Sequence, residues 1–592
     1  MEPTSASPGP TASSREENRR HLPDLRPCGA RPEAVLVVLI LAIAIWVAHF
    51  SLSFHLGLYE DDWFFIGRQM GLSWAGIVDR AVADLRGWPQ GRPVGYAGVA
   101  VLAFLGNQVG GLEGIYLIAF ALHLMNTFLI YTIVHRSLSS GPSFCAALGF
   151  CLFPSITNTP LLHAQLISGL TRFFLLFATW LYLRGSRVVA YAVSIGSLLT
   201  YESAFLPFFA VPLLHVSPMP KLRRELLKHW AILLAIGASL FWVRAQMGEE
   251  KTSAVLGNGF LETLKRVAIA MYAGSLTTLR LSVMRLVTVF RDADHEVVLV
   301  VIPMVLGLTL VLYFLKVGRS DKLVVCPLSF TNRWFQFQGK LTVDEASAAA
   351  FRLAFCGVVM LVMAYGLAIS EYYYPPVIEA GRLTGTHLAA AVGFALLCGA
   401  ISALVLDLGI SLGIRFGAVL ALACYFSGLT GFHYLVQQDF RKSWAIQRSF
   451  WTSVLERCPD LANGTILIYE EEAQPTRYIE TNSWGDPLVL SELFDFPTAW
   501  KQPPRLFPVA KTWMADVAAS DDKLFLRPPA PWPPEILPKN NVILLKAAPG
   551  GGLRRVTGTI AVGSEELPLK PLGQSTISLC QRGALYRYVV QR

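Results

Sequence analysis

Long uncharged stretches separated by short polar turns occupy the first three quarters of the chain. From Ala34 to about Leu56, some 23 residues are nearly uncharged, enough to cross about 30 Å of hydrocarbon as a helix. Further stretches of sufficient length lie near residues 114–134, 143–159, 166–183, 229–247, 296–315, 351–370, 387–406 and 411–436. This pattern predicts an all-α polytopic membrane domain.

Two apolar stretches do not fit a single crossing. Val94–Leu105 has only 12 residues, about 18 Å as a helix, so we expect an interfacial or re-entrant segment there. Residues 188–216 contain Tyr201-Glu202 and have basic residues on both sides, which favours a hairpin with Glu202 at its outer tip. A single span would place Glu202 near the bilayer centre, at a cost of roughly 2.5 kcal/mol or more. With the hairpin, about eleven spans are predicted.

The basic residues predict the orientation of these spans. Five arginines precede the first span, and the later basic turns at 135–136, 184–187, 218–229 and 316–340 all fall on one side in this arrangement. Positive turns mark the cytoplasmic side. We therefore expect a multi-pass protein of the plasma membrane with a cytoplasmic N-terminus, and outside segments at 57–112, 248–295 and 371–386.

The chain is expected to have three parts. Residues 1–33 are rich in Pro, Ser and Arg and predict a disordered cytoplasmic tail. Residues 34–437 form the membrane domain. Residues 438–592 alternate short apolar runs (GTILIYEE, NVILLK, ALYRYVV) with Pro- and Gly-rich turns, which predicts a small exoplasmic soluble α/β domain. Cys458 and Cys580 are the two cysteines of that part, and we expect them to form a disulfide.

Composition agrees with a membrane protein and narrows the function. The chain is 53% hydrophobic and 15% charged, with a mean hydropathy of +0.47, too apolar for a soluble protein of this length. The formal charge of +9 is scattered, so we assign it to topology and lipid contact, and no nucleic-acid partner is expected. The nine cysteines show no CxxC motif or zinc-ligand spacing, so no metal ligands are assigned.

Three adjacent carboxylates, Glu60-Asp61-Asp62, follow the first span in LGLYEDDWFFIG. Adjacent carboxylates repel one another, and one of them can titrate near neutrality and act as a base. The alternative is a solvated charge cap beside an interfacial Trp63.

Other polar residues are predicted on the same side of the membrane. Arg92-Pro93 precedes the short apolar segment, where it can also be a simple helix start. Glu202 lies at the hairpin tip. In EYYYPPVIEAGRLTGTHLAA, Arg382 and His387 are expected to face the outer water. An Arg fork suits a phosphate, although an aromatic belt with a snorkelling Arg is the alternative.

In their order along the chain, these features resemble the C-type glycosyltransferase superfamily, which includes protein O-mannosyltransferases and the bacterial lipid A aminoarabinose transferase. The shared features are an acidic pair after the first span, a Pro-containing juxtamembrane helix (RPVGYAGVAVLAFL), a polar turn in a hairpin (LLTYESAFLP) and a late Tyr-rich loop with an Arg (EYYYPPVIEAGRL), followed by an exoplasmic domain. The resemblance covers roughly residues 34–436.

The resemblance implies transfer of a hexosyl or pentosyl group from a polyprenyl-phosphate-linked sugar to a glycan, lipid or protein acceptor at the outer face. Asp61 is then the candidate base, with Asp62 as the second catalytic carboxylate. Arg382 is the candidate phosphate ligand, and Arg92, Glu202 and His387 are the other candidate substrate-binding residues. No cofactor is expected, and a requirement for a divalent metal stays open.

Two other classes of function stay open. A lipid or solute transporter would use intramembrane charges such as Arg172 and Arg244, although the lack of internal repeats and the large outside loops count against it. An assembly protein of the cell envelope would act through the C-terminal domain.

Overall fold

The computed structural model describes residues 32–215, 219–249, 259–317, 345–367, 376–407, 412–470, 476–509, 517–520, 523–526, 535–548, 552–562 and 565–590. The predicted tail, most of the basic loop at 316–350 and the tyrosines at 372–374 lie outside these residues. By its internal contacts the chain forms two units, Met1–Ile40 and Leu41–Arg592. All candidate site residues belong to the second unit.

Helices dominate the described part of the chain. Those of the first half are α1 (Pro32–Ile45), α2 (Trp74–Gly87), α3 (Pro93–Val134), α4 (Ser140–Cys151), α5 (Leu162–Leu183) and α6 (Arg187–Thr200). Those that follow are α7 (Met219–Gln246), α8 (Phe260–Asp292), α9 (His295–Val317), α10 (Glu345–Met363), α11 (Ala390–Asp407) and α12 (Leu412–Arg457). The expected helical membrane-type domain is confirmed.

Seven helices of the described residues are long and apolar enough to cross a membrane: Ala34–His55, Pro93–Val134, Leu162–Leu183, Met219–Gln246, Leu261–Asp292, His295–Leu315 and Phe416–Arg457. Four further apolar helices are shorter: Arg187–Thr200, Glu202–Leu214, Ser347–Met363 and Ala390–Leu406. Length and composition thus support a membrane protein, whereas the number of eleven crossings stays a prediction.

Helix α3 breaks where the sequence predicts two separate segments. Gly110 (φ −170°) and Gly111 (φ 64°, ψ −137°) leave the helical conformation, and a residue with a Cβ is strained at the positive φ of Gly111. The backbones on the two sides of the break touch, because a Cβ on Gly114 would lie 2.1 Å from the carbonyl oxygen of Gly106. The chain therefore folds back sharply between the short segment and the following span.

The predicted interruption at Tyr201-Glu202 is also present. Helix α6 ends at Thr200, and Tyr201 is extended (φ −158°, ψ 113°). The chain continues in two short 3-10 helices, Glu202–Ala204 and Leu206–Leu214. Residue 202 thus lies at the break, not within a continuous helix.

Helix α8 has no counterpart in the sequence analysis, which expected an outside segment at 248–295. Its five basic residues lower the local hydropathy and hide the helical pattern. One side carries large exposed apolar side chains at spacings of three or four, namely Tyr272, Leu276, Leu279, Val283, Val287 and Phe290. The other side buries Thr278, Arg285 and Thr288. This is the pattern of a helix that presents its apolar face to lipid.

The C-terminal part contains a small mixed sheet of four strands, in the order β3-β1-β7-β8. Strand β1 (Ile466–Glu470) is parallel to β3 (Arg505–Val509) and to β7 (Val542–Ala547), and β8 (Leu553–Val556) is antiparallel to β7. The central strands are buried on both faces, as their continuous apolar runs predict.

Smaller strands and two helices surround this sheet. Strands β4 (Val517–Ser520), β5 (Lys523–Leu526) and β6 (Glu535–Pro538) form one sheet, β9 (Thr559–Val562) and β10 (Glu565–Pro568) a second, and β2 (Phe494–Asp495) and β11 (Gln581–Arg582) a third. The helices are α13 (Asp486–Leu493) and α14 (Tyr586–Val589). Helix α12 continues unbroken past residue 437 to Arg457, so the expected division at 437 falls inside a helix.

The predicted disulfide between Cys458 and Cys580 is wrong, because both cysteines are free thiols. Cys458 is buried at the end of α12, and burial raises its pKa to about 12. The sulfur of Cys580 faces the carbonyl oxygen of Thr576 at 3.9 Å. Being the only two cysteines of a sequence region does not bring two sulfur atoms into bonding geometry.

Candidate functional site

The acidic cluster lies on a tight turn after the first span. Glu60 has φ 39°, a left-handed conformation that is unfavourable for a residue other than glycine. The turn is held by a hydrogen bond from the Asp62 backbone N–H to the Tyr59 carbonyl oxygen (2.7 Å). Because of this turn, the side chains of Glu60, Asp61 and Asp62 contact different partners.

Asp62 is fully buried and binds the start of a helix. Its Oδ1 accepts the backbone N–H of His163 (2.7 Å), and its Oδ2 accepts those of Leu162 (3.1 Å) and Tyr59 (3.3 Å). Leu162 and His163 open α5, whose first N–H groups have no partner within the helix. Burial raises the pKa of Asp62, and the backbone N–H donors oppose that rise. These contacts favour a positioning role over the catalytic role expected from the sequence.

Asp61 is the most accessible of the three carboxylates, with a side chain 16% exposed. Its Oδ1 lies 2.5 Å from Nη1 of Arg382 and accepts the Nε1–H of Trp484 at 2.9 Å. The candidate base and the candidate phosphate ligand are therefore in direct contact.

Glu60 completes this group from a buried position. Its Oε2 lies 3.5 Å from Nε of Arg382, and its Oε1 accepts the backbone N–H of Glu480 at 3.3 Å. Burial raises the pKa of Glu60 to about 8; the nearby Glu480 and Asp61 add to the rise, and Arg382 opposes it. Glu60 consequently holds a proton at neutral pH.

The loop that carries Arg382 is anchored through its backbone. Gly381 has φ 83°, and its N–H donates to the Thr157 hydroxyl oxygen at 3.0 Å. Asn158 donates its side-chain amide to the Arg382 carbonyl oxygen at 2.8 Å. The Arg382 side chain is 35% exposed, and the centre of its guanidinium group lies 5.9 Å from the Trp484 ring. The backbone of Arg382 is therefore held in place, while its side chain keeps partial access to solvent.

His387 was expected to face the outer water, and this expectation is wrong. The side chain is fully buried, with its Nδ1 2.7 Å from the Tyr365 hydroxyl and its Nε2 2.9 Å from the Ile378 carbonyl oxygen. The Tyr365 hydroxyl, from the chain just after α10, and the Ile378 carbonyl oxygen thus hold His387 in place. These contacts, which the sequence pattern does not reveal, anchor the loop that carries Arg382.

Arg92 and Glu202 form a second, separate pair. Nε and Nη2 of Arg92 lie 3.1 and 2.9 Å from the two carboxylate oxygens of Glu202. Arg244 Nη2 lies 3.7 Å from the same carboxylate, and the Arg92 guanidinium stacks on the Tyr201 ring at 3.7 Å. The structure brings these two candidate residues to each other.

Two residues of this region were missed by the sequence analysis. Trp484 belongs to the segment before α13. The turn of this segment is held by Asp486, which accepts a hydrogen bond from the side-chain amide of Asn482 at 2.8 Å. Gly485 permits a close approach, since a Cβ there would lie 2.6 Å from the Glu60 carbonyl oxygen. A lone tryptophan among polar residues in TNSWGDP is the signal that could have found it.

His163 is the second missed residue. Its ring stacks on Phe65 with centroids 4.0 Å apart, and its buried Nδ1 has no hydrogen-bond partner among the described residues. Its backbone N–H donates to Oδ1 of Asp62 at 2.7 Å, and its ring also stacks on Tyr96 with centroids 5.9 Å apart. It therefore lies directly beside the acidic turn. A polar His-Ala-Gln at the start of an apolar helix is its only sequence signal.

Three buried histidines, His49, His123 and His433, lie together. Their ring centroids lie 5.2 Å (His49 to His123) and 4.4 Å (His49 to His433) apart, and His49 Nε2 lies 2.8 Å from the Cys151 carbonyl oxygen. This carbonyl is at the end of α4, where helical carbonyl groups need outside donors. Among the described residues, no group of three or more His, Cys, Asp or Glu could hold a metal ion.

Comparison with known proteins assigns no family. No family model, curated protein or solved structure matches this chain. The resemblance to the C-type glycosyltransferases rests on the sequence motifs alone.

Proposed function

We propose that the protein is an integral-membrane glycosyltransferase that transfers a hexosyl or pentosyl group from a polyprenyl-phosphate carrier to an acceptor hydroxyl at the outer face. The observation that carries this proposal is the 2.5 Å contact between Asp61 and Arg382. Transfer of this kind needs a base for the acceptor proton and a cation for the leaving phosphate. The contact places one group of each kind side by side.

Asp61 and Arg382 are sufficient for the proposed step, because one accepts the proton and the other binds the leaving group. Asp61 takes the proton of the acceptor hydroxyl, whose oxygen attacks the anomeric carbon of the donor. The bond from that carbon to the phosphate oxygen breaks, and Arg382 stabilises the phosphate that leaves. A guanidinium fork binds phosphate through parallel charge-assisted hydrogen bonds.

The protonation of Glu60 supports binding of an anionic donor. With Glu60 neutral, Arg382 has one negative charge fewer beside it, and a bound phosphate is repelled less. Burial raises the pKa of Glu60 to about 8, and the nearby Glu480 adds to the rise, so at neutral pH Glu60 adds no negative charge to the site. The guanidinium can then turn its exposed part to the donor.

The arrangement of helix ends supports the proposed topology. The start of α5 binds Asp62, whereas its C-terminal end leads to Arg184, whose guanidinium stacks on Trp180 at 3.8 Å. The site and this basic turn therefore lie at opposite ends of the same helix. We propose that the site faces the exoplasmic side and the basic turns face the cytoplasm of the cell.

In this topology about eleven segments cross the membrane. Helix α8 packs beside α12, because a Cβ on Gly428 or Gly431 would meet the side chain of Leu286 or Val289. The end of α8 contacts the C-terminal part, where Asp292 pairs with Arg477 at 3.1 Å.

The intramembrane arginines that a transporter would use do not favour that alternative. Nε and Nη2 of Arg172 are bound by the backbone and hydroxyl oxygens of Ser168, both at 3.1 Å. Arg244 binds the carbonyl oxygens of Gly91 and Leu198. These hydrogen bonds stabilise the packing of the helices and of the loops between them.

The proposal is tested by comparing lipid-linked sugars and cell-envelope glycans in cells with and without the protein. We expect one polyprenyl-phosphate sugar to accumulate and one glycan to lose a residue when the protein is absent. An unchanged glycan profile combined with altered uptake of a solute would contradict the proposal and favour a transporter.

A further inference from the structure

A cavity of about 370 Å³ lies apart from the Asp61–Arg382 pair. It is lined by the loop between α2 and α3 (Gly87–Gly91), by Arg244, and by the chain that follows α7 (Met247–Glu249). Its volume is at the small end of the range for ligand pockets, about 300–1,000 Å³. The proposed transfer step uses none of these residues.

The loop has an unusual backbone. Trp88 (φ 49°, ψ 48°) and Gln90 (φ 49°, ψ 26°) both occupy the left-handed region although neither is glycine. Hydrogen bonds hold this shape: the Trp88 N–H donates to the Asp84 carbonyl oxygen (3.2 Å), and the Gly91 N–H donates to the Trp88 carbonyl oxygen (3.0 Å). Strained residues of this kind are concentrated at ligand sites. Here the strained loop lines the cavity with residues Gly87–Gly91.

The charges at the cavity wall balance. Arg244 is held in place, because its Nη2 donates to the carbonyl oxygens of Gly91 (2.7 Å) and Leu198 (3.2 Å). Glu249 also lines the cavity, and both the Glu249 carboxyl and the Arg244 guanidinium lie within about 3.2 Å of the place where a Cβ on Gly91 would be. One cation and one carboxylate leave no net charge to attract a phosphate.

We propose that this cavity binds a neutral saccharide, one or two sugar residues in size. Trp88 and Pro89 offer apolar surfaces to the C–H face of a sugar ring. Arg244 provides N–H donors, Glu249 acceptors, and the Gln90 amide both, which are the groups that sugar hydroxyls need. A few placed polar groups on a partly apolar wall are typical of small-molecule pockets.

The saccharide is assigned to the acceptor, an assignment that rests on the proposed transferase function. Arg92 follows the cavity loop directly and binds Glu202, and Arg244 of the cavity wall lies 3.7 Å from the same carboxylate. The cavity wall is therefore linked to the Arg92–Glu202 pair. The donor phosphate belongs at Arg382, so a neutral saccharide at Trp88 fits the acceptor.

Binding is tested on the purified full-length protein in nanodiscs by saturation-transfer-difference NMR. The probes are a panel of neutral mono- and disaccharides, with inorganic phosphate and nanodiscs of anionic lipid as competitors. We expect at least one neutral saccharide to bind saturably. Trp88→Ala should weaken this binding at least tenfold, and Trp88→Phe should restore most of it. Trp74→Ala, which changes an exposed tryptophan of α2 outside the cavity, is the matched control and should bind like the native protein.

The outcomes separate this inference from the proposed function. If no saccharide binds, or if Trp88→Ala binds as well as the native protein, the saccharide site is wrong. If phosphate or anionic lipid displaces the saccharide, the cavity is an anion site and the inference fails. Asp61→Asn should bind the saccharide normally. Saccharide binding that persists in a protein without any transferase activity would sink the transferase function and the acceptor assignment, while leaving the binding site in place.

Discussion

The carboxylate of Asp61 and the guanidinium of Arg382 lie 2.5 Å apart, although 321 positions separate them in the chain. Asp61 follows the first span, and Arg382 comes from the loop before α11. Trp484, from the C-terminal part, donates to the same carboxylate oxygen at 2.9 Å. Three distant segments therefore meet at one oxygen atom, which is the centre of the proposed site.

The role of Arg382 as the donor ligand predicts a specific kinetic effect. Arg382→Ala should raise the KM for the polyprenyl-phosphate sugar by about tenfold or more, because it removes a charge-assisted phosphate contact. Arg280→Ala is the matched control: Arg280 is exposed and pairs with Glu379, in the same loop as Arg382. Initial rates at varied donor concentration measure the effect. Equal donor KM values for the two variants would show that Arg382 does not bind the donor.

The buried carboxyl of Glu60 predicts a pH-dependent stability. Its folded pKa of about 8 exceeds the ordinary value of 4.5, so the folded state binds more protons than the unfolded state between these values. Stability therefore falls as pH rises from about 4.5 to 8. Glu60→Gln removes this loss and should be more stable than the native protein at pH 9 by roughly 3–5 kcal/mol at most.

Thermal unfolding in detergent between pH 5 and 9 measures this difference. The advantage of Glu60→Gln should grow with pH and vanish near pH 4.5. Glu113→Gln, at an exposed position of α3, should follow the native curve throughout. A gap between Glu60→Gln and the native protein that stays constant over the whole range would mean that Glu60 is ionised in the folded state.

Asp62 is predicted to stabilise the fold without taking part in catalysis. Asp62→Ala leaves the N–H groups of Leu162 and His163 buried without their acceptor, which should cost about 1–3 kcal/mol. The melting temperature should fall, while turnover per folded molecule stays within about threefold of the native value. A loss of 100-fold or more at an unchanged melting temperature would instead make Asp62 catalytic.

Trp484 links the C-terminal part to catalysis. Trp484→Phe keeps the ring but loses the hydrogen bond to Asp61, and bonds to charged groups contribute about 1.5–3 kcal/mol. Turnover should fall by about tenfold, with little change in the KM for the donor. Trp500→Phe, which changes a tryptophan stacked on Phe496, is the control. Full turnover of Trp484→Phe would show that the hydrogen bond from the C-terminal part does not contribute to catalysis.

The sequence predicted features that depend on local pattern. Runs of apolar residues predicted the spans. The short length of Val94–Leu105 and the polar Tyr201-Glu202 predicted the breaks in the helices. Charge chemistry singled out Asp61 and Arg382, because a carboxylate cluster and an Arg loop are visible one residue at a time. The sequence predicted that both face the same side of the membrane, but not that they touch.

Features that depend on tertiary packing could not be predicted from the sequence. His387 follows a Gly-containing polar loop and looks exposed, yet contacts with Tyr365 and the Ile378 carbonyl oxygen bury it. Trp484 and His163 are brought to the acidic turn only by tertiary packing. Helix α8 was missed because its basic residues lower the local hydropathy and because many of its apolar side chains point outward.

The central claim is that Asp61 is the base of a sugar-transfer reaction. Its most direct test is turnover of purified Asp61→Asn with a panel of polyprenyl-phosphate sugars, alongside Asp79→Asn, an exposed aspartate in the same predicted outside loop. Asparagine keeps the size of the side chain but cannot take the acceptor proton. The account predicts that Asp61→Asn folds normally, binds the donor and loses turnover by about 100-fold or more, while Asp79→Asn keeps native turnover. Full turnover of Asp61→Asn on a donor that the native protein uses would contradict it.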